Sequence, residues 1–506
     1  MSDPVPVRRF HGMIPPRGQD AARSTLYEGR FGRMFRNLPP FLPTNLDLSR
    51  LAETMTTELP ERGDGPEDPA GDNPEIPSGF TCLGQFVDHD ITFDPTSSLQ
   101  RQNDPDALHN FRTPRFDLDC VYGSGPDDSP YLYQPDSLHF VIGKLPRPGP
   151  GGVVEDELPR TAPGEREPRR ALIGDPRNDE NVVVSQIHLG LLKYHNAVID
   201  ALPSSVPAGE RFDEARRIVR WHYQWVVVQE YLRLIVGGDV VDDVFRTKDY
   251  VVPTAGGPRT VSLRQADPVF YHYKNQPFMP VEFSVAAYRF GHSMVRPDYD
   301  LNGIVRQVPI FVPDDAAGPL DDLRGFRERP IFLEIEWRRF FRDPDGSDAD
   351  LQLSRRINTR LASGLRRLPL DVAATTRFLA TRNLIRGKML SLASGQVVAR
   401  AMGMPEDLIL TGSALGLSGS LAARFGRDTP LWFYILKEAE VHANGLRLGP
   451  VGGRIVAEVF IGLLDGDPLS YHSIQPGWKP TAGRFGAAAD GRFGMLDLLR
   501  FAGATI

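Results

Sequence analysis

Prolines and glycines, which end helices and strands, occur at close intervals along the whole chain. The sequence has 45 prolines and 48 glycines among 506 residues, and it contains no internal repeat. A proline inside a helix removes a backbone donor and clashes with the preceding turn, so this spacing keeps the regular elements short. We therefore expect many short helices and loops rather than the stacked units of a repeat protein.

The clearest periodicity in the sequence is helical. Apolar residues recur at three- and four-residue spacing in four segments, which are 184–201, 210–236, 369–386 and 429–444. Strand signals are few and short, and the best of them lie at 261–263 and 307–312. These patterns predict a mainly α-helical fold with few short strands.

The domain organisation follows from length and from two unusual stretches. A chain of 506 residues can form two or three domains or one large one. Residues 59–79 and 142–170 are charged and rich in proline and glycine, which is typical of long surface loops, and neither has to be a domain boundary. We interpret residues 1–506 as a single large domain with its core at about 80–470, on which residues 1–79 pack as an extension.

Composition limits the partners and the location of the protein. The formal net charge is −7 and no long block of Lys or Arg occurs, which argues against nucleic-acid binding and favours small-molecule partners. Cys82 and Cys120 are too few for a disulfide framework, so both are expected to be free and buried. The first twenty residues lack the apolar run of a signal peptide, and no stretch is long enough for a transmembrane helix. The cytoplasm is the default location, with leaderless export left open.

Polar groups are concentrated in the apolar segment 83–93, which reads LGQFVDHDITF. Gln85 and His89 are four residues apart and so share a helix face, whereas Asp88 lies beside that face and Asp90 points away from it. Burying these groups costs several kcal/mol unless each has a partner. Taken alone, the segment fits a salt-bridged surface helix equally well.

Several further motifs follow in a fixed order. They are TPRFDLD at 113–119 with VYGS directly after it, GDPRNDEN at 174–181, AYRFGHSMVRP at 287–297 and RNLIRGKMLSLASGQ at 382–396. Together with GQFVDHD at 84–90, this ordered set resembles the motifs of the animal-type haem peroxidases, the peroxidase–cyclooxygenase superfamily. The resemblance implies a large, single-domain helical fold and a haem cofactor.

On the distal side of the haem, the resemblance implies roles for five residues. His89 is the expected acid–base group and Gln85 the residue that hydrogen-bonds water or halide above the iron. Arg177 stands beside His89, where a fixed cation would stabilise the charge that develops as peroxide is split. Asp88 and Glu180 are the carboxylates able to form esters with the haem.

On the proximal side, the resemblance makes His292 the iron ligand, with Arg289 three residues earlier on the same face. A proximal imidazole normally binds the iron through one ring nitrogen and donates the N–H of the other to an oxygen, which fixes its tautomer. Asn383 matches the family residue with this function, and Arg386 matches the one that pairs with a haem propionate. His195, by contrast, is assigned a structural role.

A structural calcium ion is the second cofactor that the resemblance implies. Hard cations need several oxygen ligands, and alternate residues of an extended loop can supply them. The expected ligands are Asp90, Thr113 through its hydroxyl and carbonyl, the carbonyl of Arg115, and the carboxylates of Asp117 and Asp119.

The resemblance implies a peroxidase that reduces hydrogen peroxide and oxidises halides, thiocyanate or phenolic donors. Asn181 stands where one halide-oxidising member of the family has a methionine that forms a third link to the haem, so that link is not expected here. A fatty-acid dioxygenase of the same superfamily is the main alternative, but it needs a tyrosine three residues before the proximal histidine. That position is Arg289 here, and Tyr288 lies one residue earlier. A haem- and calcium-binding protein without catalysis is the third interpretation, and the sequence leaves the oligomeric state open.

Overall fold

The structure is a computed structural model. It describes residues 29–56, 71–93, 109–110, 112–146, 154–164, 168–254, 256–274, 276–312, 321–370, 373 and 376–506. The predicted N-terminal part of the extension, residues 1–28, lies outside these ranges, as do residues 57–70 of the predicted loop at 59–79.

Helices dominate the described residues, which confirms the predicted fold class. The α-helices are α1 (Asn45–Glu53), α2 (Gly79–Ile91), α3 (Asp119–Tyr122), α4 (Val182–Ala201), α5 (Arg211–Trp225), α6 (Leu232–Val236), α7 (Gly238–Val244), α8 (Gly291–Met294), α9 (Leu379–Met389), α10 (Gly395–Ala401), α11 (Gly419–Phe425), α12 (Leu431–Ala443), α13 (Pro450–Asp465), α14 (Tyr471–Ile474) and α15 (Met495–Phe501). A π-helical stretch, Val226–Tyr231, joins α5 to α6, so the predicted helix at 210–236 is one nearly continuous rod.

The strands are short, and they pair in small sheets. They are β1 (Gly29–Gly32), β2 (Asp72–Pro77), β3 (His109–Asn110), β4 (Gly143–Pro146), β5 (Val154–Glu157), β6 (Phe245–Thr254), β7 (Gly257–Ala266), β8 (Met279–Pro280), β9 (Asp298–Tyr299), β10 (Val308–Pro309) and β11 (Leu353–Arg355). One sheet has three strands in the order β3-β1-β8, and the described remainder pair two by two as β10-β9, β11-β2, β4-β5 and β6-β7.

Three of the sequence predictions are wrong in part. In the helix predicted at 369–386, the described residues 376–378 are not helical and α9 begins at Leu379; the Arg377 carbonyl accepts instead from the backbone N–H of Leu368. Residues 72–77, assigned to a surface loop, form β2 and pair with β11. The loop predicted at 142–170 contains the hairpin of β4 and β5, in which Glu155 and Glu157 are buried.

Helix α2 lies at the centre of the molecule. It packs against α3, α4, α8 and the π-helical stretch, and nearly all of its residues are buried. Gly84 is required there, because a Cβ at this position would lie 2.4 Å from the hydroxyl oxygen of Tyr231. The helix ends at Thr92, whose extended backbone stops the hydrogen-bond pattern. The core thus fixes both ends of the segment that carries Gln85, Asp88, His89 and Asp90.

Both cysteines, Cys82 and Cys120, are free and buried, as predicted. Burial raises the pKa of the Cys82 thiol to about 12, so this group stays protonated at neutral pH. Across the part of the chain that the structure describes, we find no helix with the length and hydropathy needed to cross a bilayer.

Candidate functional site

His89 lies buried on α2 and contacts a polar side chain through each ring nitrogen. Its Nδ1 is 2.8 Å from Oδ1 of Asn178, and its Nε2 is 3.3 Å from Oε1 of Glu180. Gln85 also donates to Glu180 Oε1, and its own Oε1 accepts from Asn181 Nδ2 at 3.1 Å. The two predicted residues Gln85 and His89 therefore share one partner, the carboxylate of Glu180.

The charge of Glu180 depends on these contacts. Burial acts to raise the pKa of Glu180, but the charge and hydrogen bond of His89, with the charge of Arg177, outweigh it, and the pKa lies below its usual value. Glu180 is therefore ionised at neutral pH, and its oxygen is held close to the histidine.

Arg177 is fixed beside His89 by backbone and side-chain contacts. Its Nη2 donates to the carbonyls of His89 at 3.0 Å and Thr92 at 2.6 Å, and it pairs with the buried Asp175 at 2.8 Å. Its guanidinium lies 4.5 Å from the centre of the Phe93 ring. Burial acts to raise the pKa of Asp175, but Arg177 and Arg112 hold it well below its usual range. A permanent cation is thus anchored at the end of the distal helix.

A cavity of about 170 Å³ opens next to Arg177. Asp88 and Arg177 line it on the α2 side, while Arg289 and Arg386 line it from the segments that carry the other predicted site residues. Apolar side chains complete the wall, among them Phe31, Phe93, Val285 and Leu390. The cavity therefore combines apolar surface with three arginines and one carboxylate.

His292 lies on α8, with its ring nitrogen Nδ1 2.7 Å from the amide nitrogen of Asn383 on α9. With the amide turned by 180°, Oδ1 of Asn383 accepts the Nδ1–H of the ring, which is the contact expected of a proximal histidine. Burial, aided by the charge of Arg289, lowers the pKa of His292 to about 3. The imidazole is therefore neutral at physiological pH, which is the form that binds a metal.

The residues around the cavity fit a haem. A porphyrin needs apolar walls and cationic partners for its propionates, and the cavity has both. Arg289 donates from Nε to the Ser284 carbonyl at 3.1 Å and has no ion pair with any described residue, so its charge is available to an anionic group. Neither His89 nor His292 is among the residues that line the cavity, although Asp88 and Arg289, close to them in sequence, are.

Tyr288, the residue before Arg289, points toward the distal helix. Its hydroxyl donates to the Gly84 carbonyl at 3.0 Å, and its ring stacks on Phe283 with a centroid distance of 4.8 Å. Tyr288 is not among the cavity-lining residues, whereas Arg289 is.

Three carboxylates meet at a second place, on the opposite side of α2. Oxygen atoms of Asp90, Asp117 and Asp119 lie within 4.8 Å of one another, and all three residues are buried. Burial, with the charges of Asp119 and Asp117, raises the pKa of Asp90 well above its usual value, and burial raises that of Asp119 to about 7. Such a cluster is costly without a cation, so the donor set fits a hard divalent ion.

Two other predicted calcium ligands lie in the same loop. The hydroxyl of Thr113 donates to Asp117 Oδ2 at 2.8 Å, and the Thr113 carbonyl accepts from the backbone N–H of Arg115 at 2.8 Å. Thr113 therefore lies beside the carboxylates, and Arg115 tightens the turn that holds them.

The predicted loop at 142–170 contributes a buried ion network that sequence reasoning missed. Arg160 contacts both oxygens of Asp179, at 2.8 and 2.7 Å, and Glu157 at 2.9 Å. Arg329 extends the network to Glu155 at 2.9 Å and to Glu157 at 3.2 Å. Because Asp179 precedes Glu180, this network fixes the backbone next to the candidate distal carboxylate.

Replacement of Arg160 by methionine is expected to destabilise the fold by about 3–5 kcal/mol, since it leaves the buried carboxylate of Asp179 without its cation and Glu157 with Arg329 alone. Urea unfolding measures the change. Arg400→Met, which removes an exposed pair with Glu406, is the control and should cost about 0–1 kcal/mol. Equal losses in the two variants would show that the network does not stabilise the fold.

Sequence reasoning also missed Asn178 and His188, although both lie in the segments that it singled out. Asn178 stands between Arg177 and Glu180, and His188 follows two turns later on α4. Nothing in the local pattern marks either residue, because their contacts join separate elements. His195, assigned a structural role, is buried with its Nδ1 3.0 Å from the Tyr122 hydroxyl and its Nε2 2.9 Å from the Leu138 carbonyl.

Comparison with known proteins gives a consistent family. Residues 98–311 match the family model described as animal haem peroxidase. Chorion peroxidase of Drosophila melanogaster is 27% identical over 315 residues, which is 60% of this chain and 35% of that protein. Thyroid peroxidase of Mus musculus is 29% identical over 240 residues, 45% of this chain and 23% of that protein. The chain spans between 18% and 35% of the length of the curated relatives it matches.

Two solved structures share the fold. Peroxidase A of Dictyostelium discoideum superposes with a TM-score of 0.61 at 17% identity, covering 89% of this chain and 90% of that one. A fatty acid alpha-dioxygenase of Arabidopsis thaliana gives 0.52 at 15% identity, covering 95% and 76%. Residues 98–311 are thus similar to the animal haem peroxidases, the family that the motifs predicted, and haem is the cofactor which that family implies.

Proposed function

We propose that this chain is a haem peroxidase that reduces hydrogen peroxide and oxidises a halide, thiocyanate or a phenolic donor. The proposal rests on one observation above the others. Asp88, which precedes His89 on α2, and Arg177, which bonds the His89 carbonyl, both line the cavity. Arg289, three residues before His292, lines the same cavity. Haem held by His292 would supply a redox-active iron beside these residues.

In the proposed reaction, His89 and Arg177 handle the proton and the charge. Nε2 of His89 accepts the proton from one peroxide oxygen and returns it to the other, which leaves as water. Arg177, fixed by Asp175 and by two backbone carbonyls, stabilises the negative charge that develops between these oxygens. Nε2 of His89 faces the Glu180 carboxylate, which is held in place by a hydrogen bond from Gln85. Arg289 and Arg386 are proposed partners for the propionates.

A fatty-acid dioxygenase is the second candidate, because dioxygenase structures share this fold over 95% of the chain. Against it, Arg289 occupies the position three before His292, and the hydroxyl of Tyr288 is bound to Gly84 in the distal helix. A non-catalytic haem protein is the third candidate. A protein of that kind is expected to lack at least one catalytic residue, but Gln85, His89, Arg177 and His292 are all present.

One pair of assays separates these functions. The haem-loaded protein is mixed with hydrogen peroxide and, in parallel, with bromide, thiocyanate or guaiacol, and product formation is followed. A second sample receives linoleate or arachidonate without peroxide, and oxygen uptake is recorded. We expect peroxide-dependent oxidation of at least one donor and no oxygen uptake. Oxygen uptake without donor oxidation supports the dioxygenase. A haem-loaded sample that shows neither donor oxidation nor oxygen uptake supports the non-catalytic protein.

We further propose that Asp88 and Glu180 esterify the haem. Asp88 lines the cavity, and its Oδ1 accepts from the Thr92 hydroxyl at 3.0 Å, while Glu180 stands beside His89. After turnover with peroxide, acid–acetone should leave haem attached to the wild-type chain, and Asp88→Asn with Glu180→Gln should release it completely. Complete release from the wild type would contradict this prediction.

A calcium ion is proposed to occupy the cluster of Asp90, Asp117 and Asp119, with oxygens of Thr113 and Arg115. Chelation should lower the midpoint of thermal unfolding by several degrees, because three buried carboxylates then repel one another without a cation. Calcium should restore the midpoint and magnesium should not, since it prefers a smaller, octahedral site.

Asp117→Ala tests the site within the chain. This variant should show a lower midpoint than the wild type in calcium and little response to chelation. Asp343→Ala, which removes a partly buried carboxylate paired with Arg500, is the control and should keep the full response. A wild type that ignores both chelator and calcium would rule out the ion.

A further inference from the structure

Behind His89, on the side away from Glu180, a buried chain of two side chains runs into the core. Nδ1 of His89 is 2.8 Å from Oδ1 of Asn178, and Nδ2 of Asn178 is 3.0 Å from Nδ1 of His188. His89 is 5% exposed, and Asn178 and His188 are fully buried. Water therefore does not compete for these contacts.

Asn178 and His188 are each held by the helix on which they lie. Asn178 lies in the short 3-10 helix Pro176–Asp179, and its backbone N–H donates to the Asp175 carbonyl at 3.1 Å. His188 lies on α4, with its ring edge-on to Phe86 of α2 at a centroid distance of 6.1 Å. The chain thus joins three elements at the point where Arg177 and Glu180 are also held.

Protonation along this chain has a direction. The amide of Asn178 has its oxygen toward His89, and this oxygen can only accept, so in this orientation Nδ1 of His89 carries the proton and Nε2 presents a lone pair. The amide nitrogen only donates, so Nδ1 of His188 must be an acceptor. Burial lowers the pKa of His188 to about 3, so the ring stays neutral and can accept throughout the neutral range. Nε2 of His188 has no hydrogen-bond partner among the described residues, so the ring is held through its contact with Asn178.

We infer that Asn178 and His188 are positioning residues that fix the tautomer and the orientation of His89. This inference rests on the proposed peroxidase function, in which Nε2 of His89 must be a free base. The same logic holds in catalytic triads, where a buried acceptor on Nδ1 of the histidine keeps the other nitrogen ready to take a proton. Here a neutral amide has that position, and the second histidine holds the amide in place.

Two substitutions at Asn178 separate the roles. Asn178→Asp keeps an acceptor for His89, and its second oxygen can accept a hydrogen bond from Nδ1 of His188 once that ring changes its tautomer, so the reaction should stay within a few-fold of wild type. Asn178→Leu keeps the approximate volume but removes the acceptor, so it should slow proton uptake by about ten- to hundredfold, the usual cost of losing such a partner. His188→Phe keeps a ring in the core and should give a smaller loss, because the amide can then rotate.

The experiment uses the haem-loaded protein and two readouts. Stopped-flow absorption gives the rate of reaction with hydrogen peroxide. The association rate of cyanide is the second readout, because cyanide arrives at neutral pH as hydrogen cyanide and must give its proton to a distal base, without any turnover. Haem content and the midpoint of thermal unfolding report on folding. His195→Phe is the matched control, since His195 lies on the same helix, buried, with both nitrogens bonded elsewhere.

We expect both rates to fall together in Asn178→Leu, to be retained in Asn178→Asp and to be unchanged in His195→Phe. Wild-type rates in Asn178→Leu would overturn the inference. If the wild type itself binds haem yet does not react with peroxide, the proposed function fails instead. If Asn178→Leu does not fold, Asn178→Asp and His188→Phe decide alone: equal rates in those two contradict the inference.

Discussion

His89→Ala is expected to slow the reaction of the haem-loaded protein with hydrogen peroxide by about a hundred- to ten-thousandfold, the range for removal of a general acid–base group. The loss is expected because Nε2 of His89 is the ring nitrogen left for the substrate once Nδ1 is bound to Asn178. Haem content should not change, since His89 is outside the cavity lining. Stopped-flow absorption with excess peroxide measures the rate.

His139→Ala is the control for this variant, because His139 is bound to Asp136 and Asp200 near the surface. Its rate should equal that of the wild type. A His89→Ala protein that keeps its haem and reacts at the wild-type rate would remove His89 from the mechanism.

His292→Ala is expected to have the largest effect on cofactor binding. It removes the proposed iron ligand, so the affinity for haem should fall by more than about a hundredfold, since loss of a ligand's hydrogen-bond partner alone costs about ten- to hundredfold. Asn383→Ala, which removes that partner at 2.7 Å, should show the smaller loss. Titration of the haem-free proteins with haem, followed by absorption, measures both affinities.

Added imidazole should restore the absorption spectrum of His292→Ala, because it can occupy the space of the missing ring. His222→Ala is the matched control. His222 is also buried, burial lowers its pKa to about 4, and its Nδ1 bonds the Ile218 carbonyl. Equal haem affinity in His292→Ala and the wild type would show that another residue binds the iron.

The local pattern around α2 gave the most reliable expectations. Four-residue spacing predicted that Gln85 and His89 share a face and that Asp90 points elsewhere, and the structure has Asp90 in the carboxylate cluster and Asp88 at the cavity. Helical periodicity similarly located α4 and α12 to within a few residues. In these segments the residues that determine the structure are neighbours in sequence, so their spacing is sufficient.

Contacts between distant segments could not be predicted in this way. Arg160 and Asp179 are 19 residues apart and Arg329 and Glu155 are 174 apart, so the stretch around Arg160 resembled a polar surface loop. The hydrogen bond from His89 to Asn178 spans 89 residues. From residue 369, apolar spacing suggested a helix, but the β-branched Thr375 and Thr376 weaken that preference, and the Arg377 carbonyl accepts from the backbone N–H of Leu368 instead of from a helical neighbour.

The central claim is that His89 and His292 lie on opposite faces of one haem. A crystal structure of the haem-loaded protein tests it directly. We expect Nε2 of His292 bound to the iron, with Nε2 of His89 above the other face and Arg177 beside it. Haem bound through a different side chain, or located away from the cavity between Asp88 and Arg289, would contradict this account.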